Sequence, residues 1–148
     1  MSTTYKTKHW IGANRLPDWP ERLHALIDSN ASTQFQWGSF DCSQFCIQAE
    51  QSMYGQTRWT DLVGGYKTER GAKGRIKRAG GESLWDLIDS RMERRESVKL
   101  AMRGDWIGHY TEDGESLGIC LGSDFVCVHL DSGLVFAPMT EAVIAWRG

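Results

Sequence analysis

Among the residues of this sequence whose type and position could do chemistry, Cys42 comes first. It stands in Phe40-Asp41-Cys42-Ser43-Gln44-Phe45, where an aromatic, glycine-broken approach, Phe35-Gln36-Trp37-Gly38, gives way to a helical pattern with Phe45, Ala49 and Met53 on one stripe and Gly55 as its stop. A cysteine in the first turn of a helix meets unpaired backbone N–H groups and the positive end of the helix dipole, and both favour thiolate over thiol. That is the setting of a nucleophile. Asp41 acts the other way by placing negative charge beside the sulfur, unless its carboxylate caps the helix and faces away. Taken alone, Cys42 is weak evidence, because an isolated cysteine near a helix start is more often a small buried hydrophobe.

Three further cysteines, Cys46, Cys120 and Cys127, raise two other chemistries. Two disulfides are arithmetically possible, but a reducing compartment and a chain long enough to bury its own core make free thiols the expectation. Four thiolates could also meet at zinc or an iron–sulfur cluster, since Cys42 and Cys46 have helical spacing and the other two fall on strands. Six residues separate Cys120 from Cys127, which is not a usual metal-knuckle spacing, so no metal and no cofactor are expected. The cluster Arg70, Lys73, Arg75, Lys77 and Arg78 is read as a solvated helix face in preference to a phosphate site, because no glycine-rich phosphate loop accompanies it.

The elements that must position these residues divide the chain into a helical first two thirds and a sheet-rich last third. Residues 1–16 lack periodicity and read as an N-terminal arm, leaving residues 17–148 as one domain. Asp18 can cap a first helix carrying Trp19, Leu23, Leu26 and Ile27, which Asn30 can end. The Cys42 helix follows, then a polar loop through Gly64-Gly65, a basic helix capped by Thr68, and a short helix from Glu82-Ser83 with Leu84, Trp85, Leu87 and Ile88 on its buried side. From Gly104 the period becomes two. Strands are expected at residues 105–110, 117–121, 125–129 and 133–136, with a helical turn at 139–142 and a last strand at 143–147. Short connections make the pairing antiparallel. The predicted class is therefore α+β, N-terminal helices packed on a C-terminal antiparallel sheet.

Composition narrows the partners. A net charge of −2 from 17 basic and 19 acidic residues provides no general field toward nucleic acid or an anionic membrane. No apolar run approaches the roughly 20 residues needed to span a bilayer, and MSTTYKTKHW has no apolar signal core. The protein is expected to be made and kept in the cytoplasm, or carried in an assembly built there. Seven tryptophans suggest aromatic core anchors or a sticky face; Trp37 and Trp85 read as core, and Trp10, Trp59 and Trp106 as candidates for exposure.

The run Phe35-Gln36-Trp37-Gly38, Asp41-Cys42-Ser43-Gln44-Phe45, the later Gly104-Asp105-Trp106-Ile107 and Leu117-Gly118-Ile119-Cys120-Leu121-Gly122 resemble the papain-like NlpC-type cell-wall endopeptidases. The likeness covers roughly residues 18–147 and is nearest to the small NlpC-like proteins encoded among phage tail genes, which the ending of this chain, Gly133-Leu134-Val135-Phe136-Ala137-Pro138 through Ala145-Trp146-Arg147, also resembles. The resemblance implies a papain-like fold in which Cys42 is the nucleophile, a strand histidine the base, and a polar residue on the next strand, here His129, its orienting partner. Active members have His-Val-Gly-Ile where this chain has Ser116-Leu117-Gly118-Ile119, so Ser116 occupies the base position, and serine cannot accept a proton near neutral pH. Either His129 or His109 would have to act as base instead; His9 and His24 fall outside the constellation.

The expectation that follows is a phage virion structural protein of the tail tip or baseplate that kept the fold without the complete dyad, assembled in the host cytoplasm and docked on tail-hub proteins. The alternative is an active cysteine endopeptidase or amidase that cleaves peptidoglycan peptides during genome delivery. A third class is a tail-assembly factor absent from the finished particle. A structural role predicts a filled or covered cleft beside Cys42; the enzyme predicts an open cleft and a thiol reactive at neutral pH.

Overall fold

The computed structural model describes residues 14–148. Among these residues four α-helices, α1 (Trp19–Ser29), α2 (Cys42–Tyr54), α3 (Glu69–Arg78) and α4 (Leu84–Asp89), precede five strands, β1 (Trp106–Thr111), β2 (Gly114–Cys120), β3 (Asp124–His129), β4 (Gly133–Pro138) and β5 (Ile144–Trp146). The strands form one sheet in the order β4-β3-β2-β1-β5, every neighbour antiparallel. Turns of a few residues join β1 through β4, which is why consecutive strands pair directly. The α+β class with a C-terminal antiparallel sheet is thus as expected. No helix among the described residues is long and apolar enough to cross a membrane.

Period-two burial sorts the strands onto two faces. Leu117, Ile119, Val126 and Val128 meet the helices, where Phe45, Cys46, Ala49 and Met53 of α2 and Leu23 and Ile27 of α1 complete the main core. Each of the larger ones, such as Leu23, Phe45, Met53 and Ile119, stabilises the fold by roughly 1.5–3 kcal/mol. The other face carries a smaller cluster, Ile107, Cys120, Phe125, Cys127, Ala142 and Ala145, with Val98, Ala101 and Met139 packed against it.

Helix boundaries follow their caps, with one correction. Thr68 and Ser83 accept backbone hydrogen bonds at the starts of α3 and α4, and Gly55 ends α2 in the left-handed conformation. Asp18 precedes α1 but makes no side-chain cap; its carboxylate takes Arg22 Nε at 2.8 Å instead, so the i,i+4 ion pair outcompetes the cap. Of the expected arm, residues 1–13, with His9 and Trp10, lie outside the described residues, whereas Leu16 N–H donates to the Met53 carbonyl and Arg15 to those of Arg103 and Gly148.

The tryptophans correct two further expectations. Trp59 and Trp106 are each 1% exposed and stack at 5.5 Å, because the segment after α2 lays Trp59 over β1. Trp85 is core as expected, but Trp37 is only half-buried, its ring edge-on to Phe35 at 4.8 Å.

Candidate functional site

The start of α2 is fixed by Asp41. Its Oδ1 accepts the Gln44 N–H at 2.9 Å as a helix cap, and its Oδ2 accepts the Gly38 N–H at 2.9 Å and the Tyr66 hydroxyl at 2.6 Å. Gly38 is required here: its φ is +83°, and a Cβ would fall 1.9 Å from the Tyr66 carbonyl oxygen. The Gln44 side chain adds a second tie, donating to the Leu62 carbonyl at 2.8 Å and accepting the Gly64 N–H at 3.0 Å. The loop before α3 is therefore clamped onto the helix end that presents Cys42.

The sheet opens to receive that cysteine. β1 and β2 pair along their whole length, but the β2–β3 ladder covers only Ile119 with Val126 and Cys120 with Phe125. Continued three residues further, the same register would set Ser116 opposite His129. The strands part instead, and the Cys42 sulfur meets the Ser116 hydroxyl and the Leu117 backbone. These contacts, with Ser43 Oγ at 3.9 Å, favour thiolate. Burial and then the Asp41 charge oppose them and prevail, holding the thiol above its ordinary range. The helix N-terminus alone does not make this an activated nucleophile.

Cys42, Ser116 and His129 line one open cleft of about 640 Å³. Phe35, Trp37 and Leu130 form one side of it and α3 and the start of α4 another. An open cleft departs from what a purely structural role predicts. His129 is exposed at the end of β3, and its Nδ1 accepts the Asp131 N–H at 3.1 Å. A neutral ring so bound carries its proton on Nε2, leaving no free lone pair for a thiol proton. His109 lies across from Ser116 in the β1–β2 register but does not line the cleft; β2 stands between β1 and the opening that holds Cys42. Its ring packs on Phe125 at 4.8 Å with Nε2 buried and unpartnered, and burial holds its pKa below the ordinary value. The structure therefore brings together Cys42, Ser116 and His129 and leaves His109 out.

The other thiols are free, and among the described residues no group of three or more His, Cys, Asp or Glu side chains is arranged to hold a metal. Burial raises Cys46 and Cys120 and pushes Cys127 up to about 12. Tyr66 is the site residue that sequence reasoning missed. It sits 25 positions after Asp41 in a polar loop, and no spacing rule connects them.

Residues 14–148 match the model of a family described as a domain of unknown function, DUF6950. No curated protein matches the chain. The matched span takes in every element and every site residue described above, and the chain belongs to the DUF6950 family.

Proposed function

We propose that this chain is an NlpC-type, papain-like domain whose cysteine site lacks a general base, and that it serves as a non-catalytic structural component of a phage tail tip or baseplate. The observation that carries the reading is the contact between Cys42 and Ser116. Where the endopeptidases it resembles would set an imidazole, a hydroxyl faces the sulfur, and a hydroxyl can donate a hydrogen bond but cannot accept the thiol proton near neutral pH. The raised thiol pKa supports the same reading. Helices packed on a five-stranded antiparallel sheet, with a cysteine at a helix start facing the second strand, are compatible with the papain-like family but are not peculiar to it. The tail-hub partner and the virion location rest on the sequence resemblance.

A second reading, a cysteine endopeptidase or amidase acting on peptidoglycan peptides, is favoured by one observation: the cleft beside Cys42 is open and holds His129 in its wall. Ser116→His separates the two. Alkylation of Cys42 is followed from pH 5 to 9 in the wild type, Ser116→His and Ser116→Ala, with Cys42→Ala as blank. The expected result is a wild-type thiol inert until alkaline pH and a Ser116→His thiol reactive near neutrality. A wild-type thiol that already reacts fast at pH 6–7, in a protein that also cleaves peptidoglycan stem peptides, overturns the reading. Proteomics of purified particles tests the location; absence from the finished tail makes the protein an assembly factor.

A further inference from the structure

We infer that α3 is a hinged lid on the cleft, latched by Arg75, and that its opening sets how large a ligand can reach Cys42. The lid does not depend on whether the cleft retains catalysis. Its attachment, its composition and the hollows beside it make α3 separable from the body.

The attachment leaves a movable span between two fixed ends. Before α3, Tyr66 is held by Asp41 at 2.6 Å and by Gln44 Nε2 at 3.3 Å. After it, Gly81 is buried and so closely packed that a Cβ there would lie 2.7 Å from Leu87 Cβ of α4. Between these ends no residue of 67–80 is buried. Gly80, whose φ is +96° and whose Cβ position is open, lets the chain turn at the far end. Apart from the Gly81 N–H on the Ile76 carbonyl, which closes the helix end, Arg75 alone among the described residues hydrogen-bonds from this span to the rest of the chain. Its Nη1 donates to the Gly64 carbonyl at 2.9 Å and its Nη2 to that of Asp61 at 2.8 Å. Both acceptors belong to the loop that Gln44 clamps, so one guanidinium latches α3 to the site.

The helix is weak by itself. It has ten residues, and isolated helices shorter than roughly 12–15 residues are marginal in water. Gly71 and Gly74 weaken it further, and Lys73 and Lys77 set like charges four residues apart. A detached α3 therefore unwinds, and its amides exchange with solvent.

Little packed core holds it down. Arg70, Lys73 and Lys77 wall the cleft, while Ala72, Arg75 and Ile76 line, with Trp59 and Trp106, a smaller cavity of about 40 Å³. From the span, Ile76 and Ala79 pack on the main core, and both are only half-buried. Few buried apolar contacts are what lets a segment open locally while the rest stays folded.

The test uses the full chain and two readouts: hydrogen exchange along the backbone, and alkylation of Cys42 by iodoacetamide and by bulky iodoacetamidofluorescein at one alkaline pH, with Cys42→Ala as blank. The reacting group is the same in both reagents, so thiol ionisation cancels in the ratio of their rates. In the wild type, amides of residues 73–78 should exchange at least about tenfold faster than those of α2. Arg75→Met keeps an apolar stem and removes both latch bonds; exchange in α3 should rise about tenfold or more with α1 and α2 unchanged, and the bulky-to-small ratio should rise with it. Gly74→Ala adds a Cβ that meets only the flexible tip of Arg78, at 3.3 Å, so it should slow exchange in α3 about fivefold and lower the ratio. Slower exchange cannot come from damage to the fold. Amides in α3 as protected as those in α2, Arg75→Met without effect on either readout, or faster exchange with an unchanged rate ratio each overturns the lid.

Discussion

Tyr66 donates its hydroxyl to Asp41 at 2.6 Å, and the carboxylate it bonds is the charge that, after burial, does most to hold the Cys42 thiol up. Asp41 is 2% exposed and is satisfied by this hydroxyl and two backbone N–H groups. Removing the hydroxyl in Tyr66→Phe leaves the buried carboxylate one donor short, at a cost of roughly 1.5–3 kcal/mol for a hydrogen bond to a charged group. Urea denaturation should show that loss. The less shielded carboxylate also weighs more heavily on its neighbour, so alkylation of Cys42 should begin at higher pH than in the wild type. Stability lost with no change in the alkylation profile would mean that Asp41 does not govern the sulfur.

The converse change is Asp41→Asn. Its side-chain oxygen can still accept the Gln44 N–H, but the negative charge is gone. The second-largest cause that holds the Cys42 pKa up is then removed, while the hydrogen bonds from Ser116 and Leu117 remain. The expected outcome is a thiol that alkylates at lower pH, though still without the bell-shaped profile that a Cys–His pair would give. A thiol titration in the ultraviolet, where thiolate absorbs, measures the shift directly, with Cys42→Ala subtracting the other three cysteines.

How far the sequence shows this site can be judged from its parts. The helix start at Cys42 is legible because Asp41 and Gly55 are local signals that bracket a periodic stripe, and the strands are legible because their alternation is clean. Ser116 could be placed against Cys42 only through the family resemblance. Nothing in its spacing says that β2 and β3 part at Ile119, since that depends on α2 wedging its first turn between them. Trp59 and Trp106 were beyond local reading for a related reason: an indole is as suited to an interface as to a core, and only the path of the segment after α2 stacks one on the other. Cleft openness likewise arises from where α3 and the Phe35–Trp37 segment stand relative to the sheet.

The buried thiols make stability depend on alkaline pH. Cys127 is pushed up to about 12 by burial and then by the Cys42 and Glu141 charges, against an ordinary value of 9.0, and Cys46 is raised well above it as well. Their folded pKa values exceed the unfolded ones, so between the two the unfolded chain has released protons that the folded chain retains, and rising pH favours unfolding. The contribution is whole below pH 9 and is lost as pH climbs toward about 12. Unfolding free energies from urea denaturation at pH 8 to 11 should fall, by at most about 1.4 kcal/mol per pH unit for each thiol. Cys127→Ala should start lower, through the lost packing, yet fall less steeply; an unchanged slope would assign the alkaline loss to other groups.

Asp105 has a structural duty that its place beside Gly104 and Trp106 does not reveal. It is fully buried and accepts from Arg95 Nε at 2.9 Å and Nη2 at 3.2 Å, from the Met102 N–H at 2.8 Å and from the Gly148 N–H at 3.0 Å. One carboxylate thereby ties the segment before β1 to the end of the chain. Asp105→Ala strands the Arg95 guanidinium, itself only 14% exposed, and two backbone donors, so about 3–5 kcal/mol should be lost. Replacing both partners, as Arg95→Met/Asp105→Leu, removes the uncompensated charge and should cost clearly less than the sum of the single changes, with Met102 and Gly148 still lacking an acceptor. A double-mutant cycle by chemical denaturation gives the coupling. Strict additivity would show that Arg95 contributes nothing through Asp105, and that the carboxylate acts on the backbone alone.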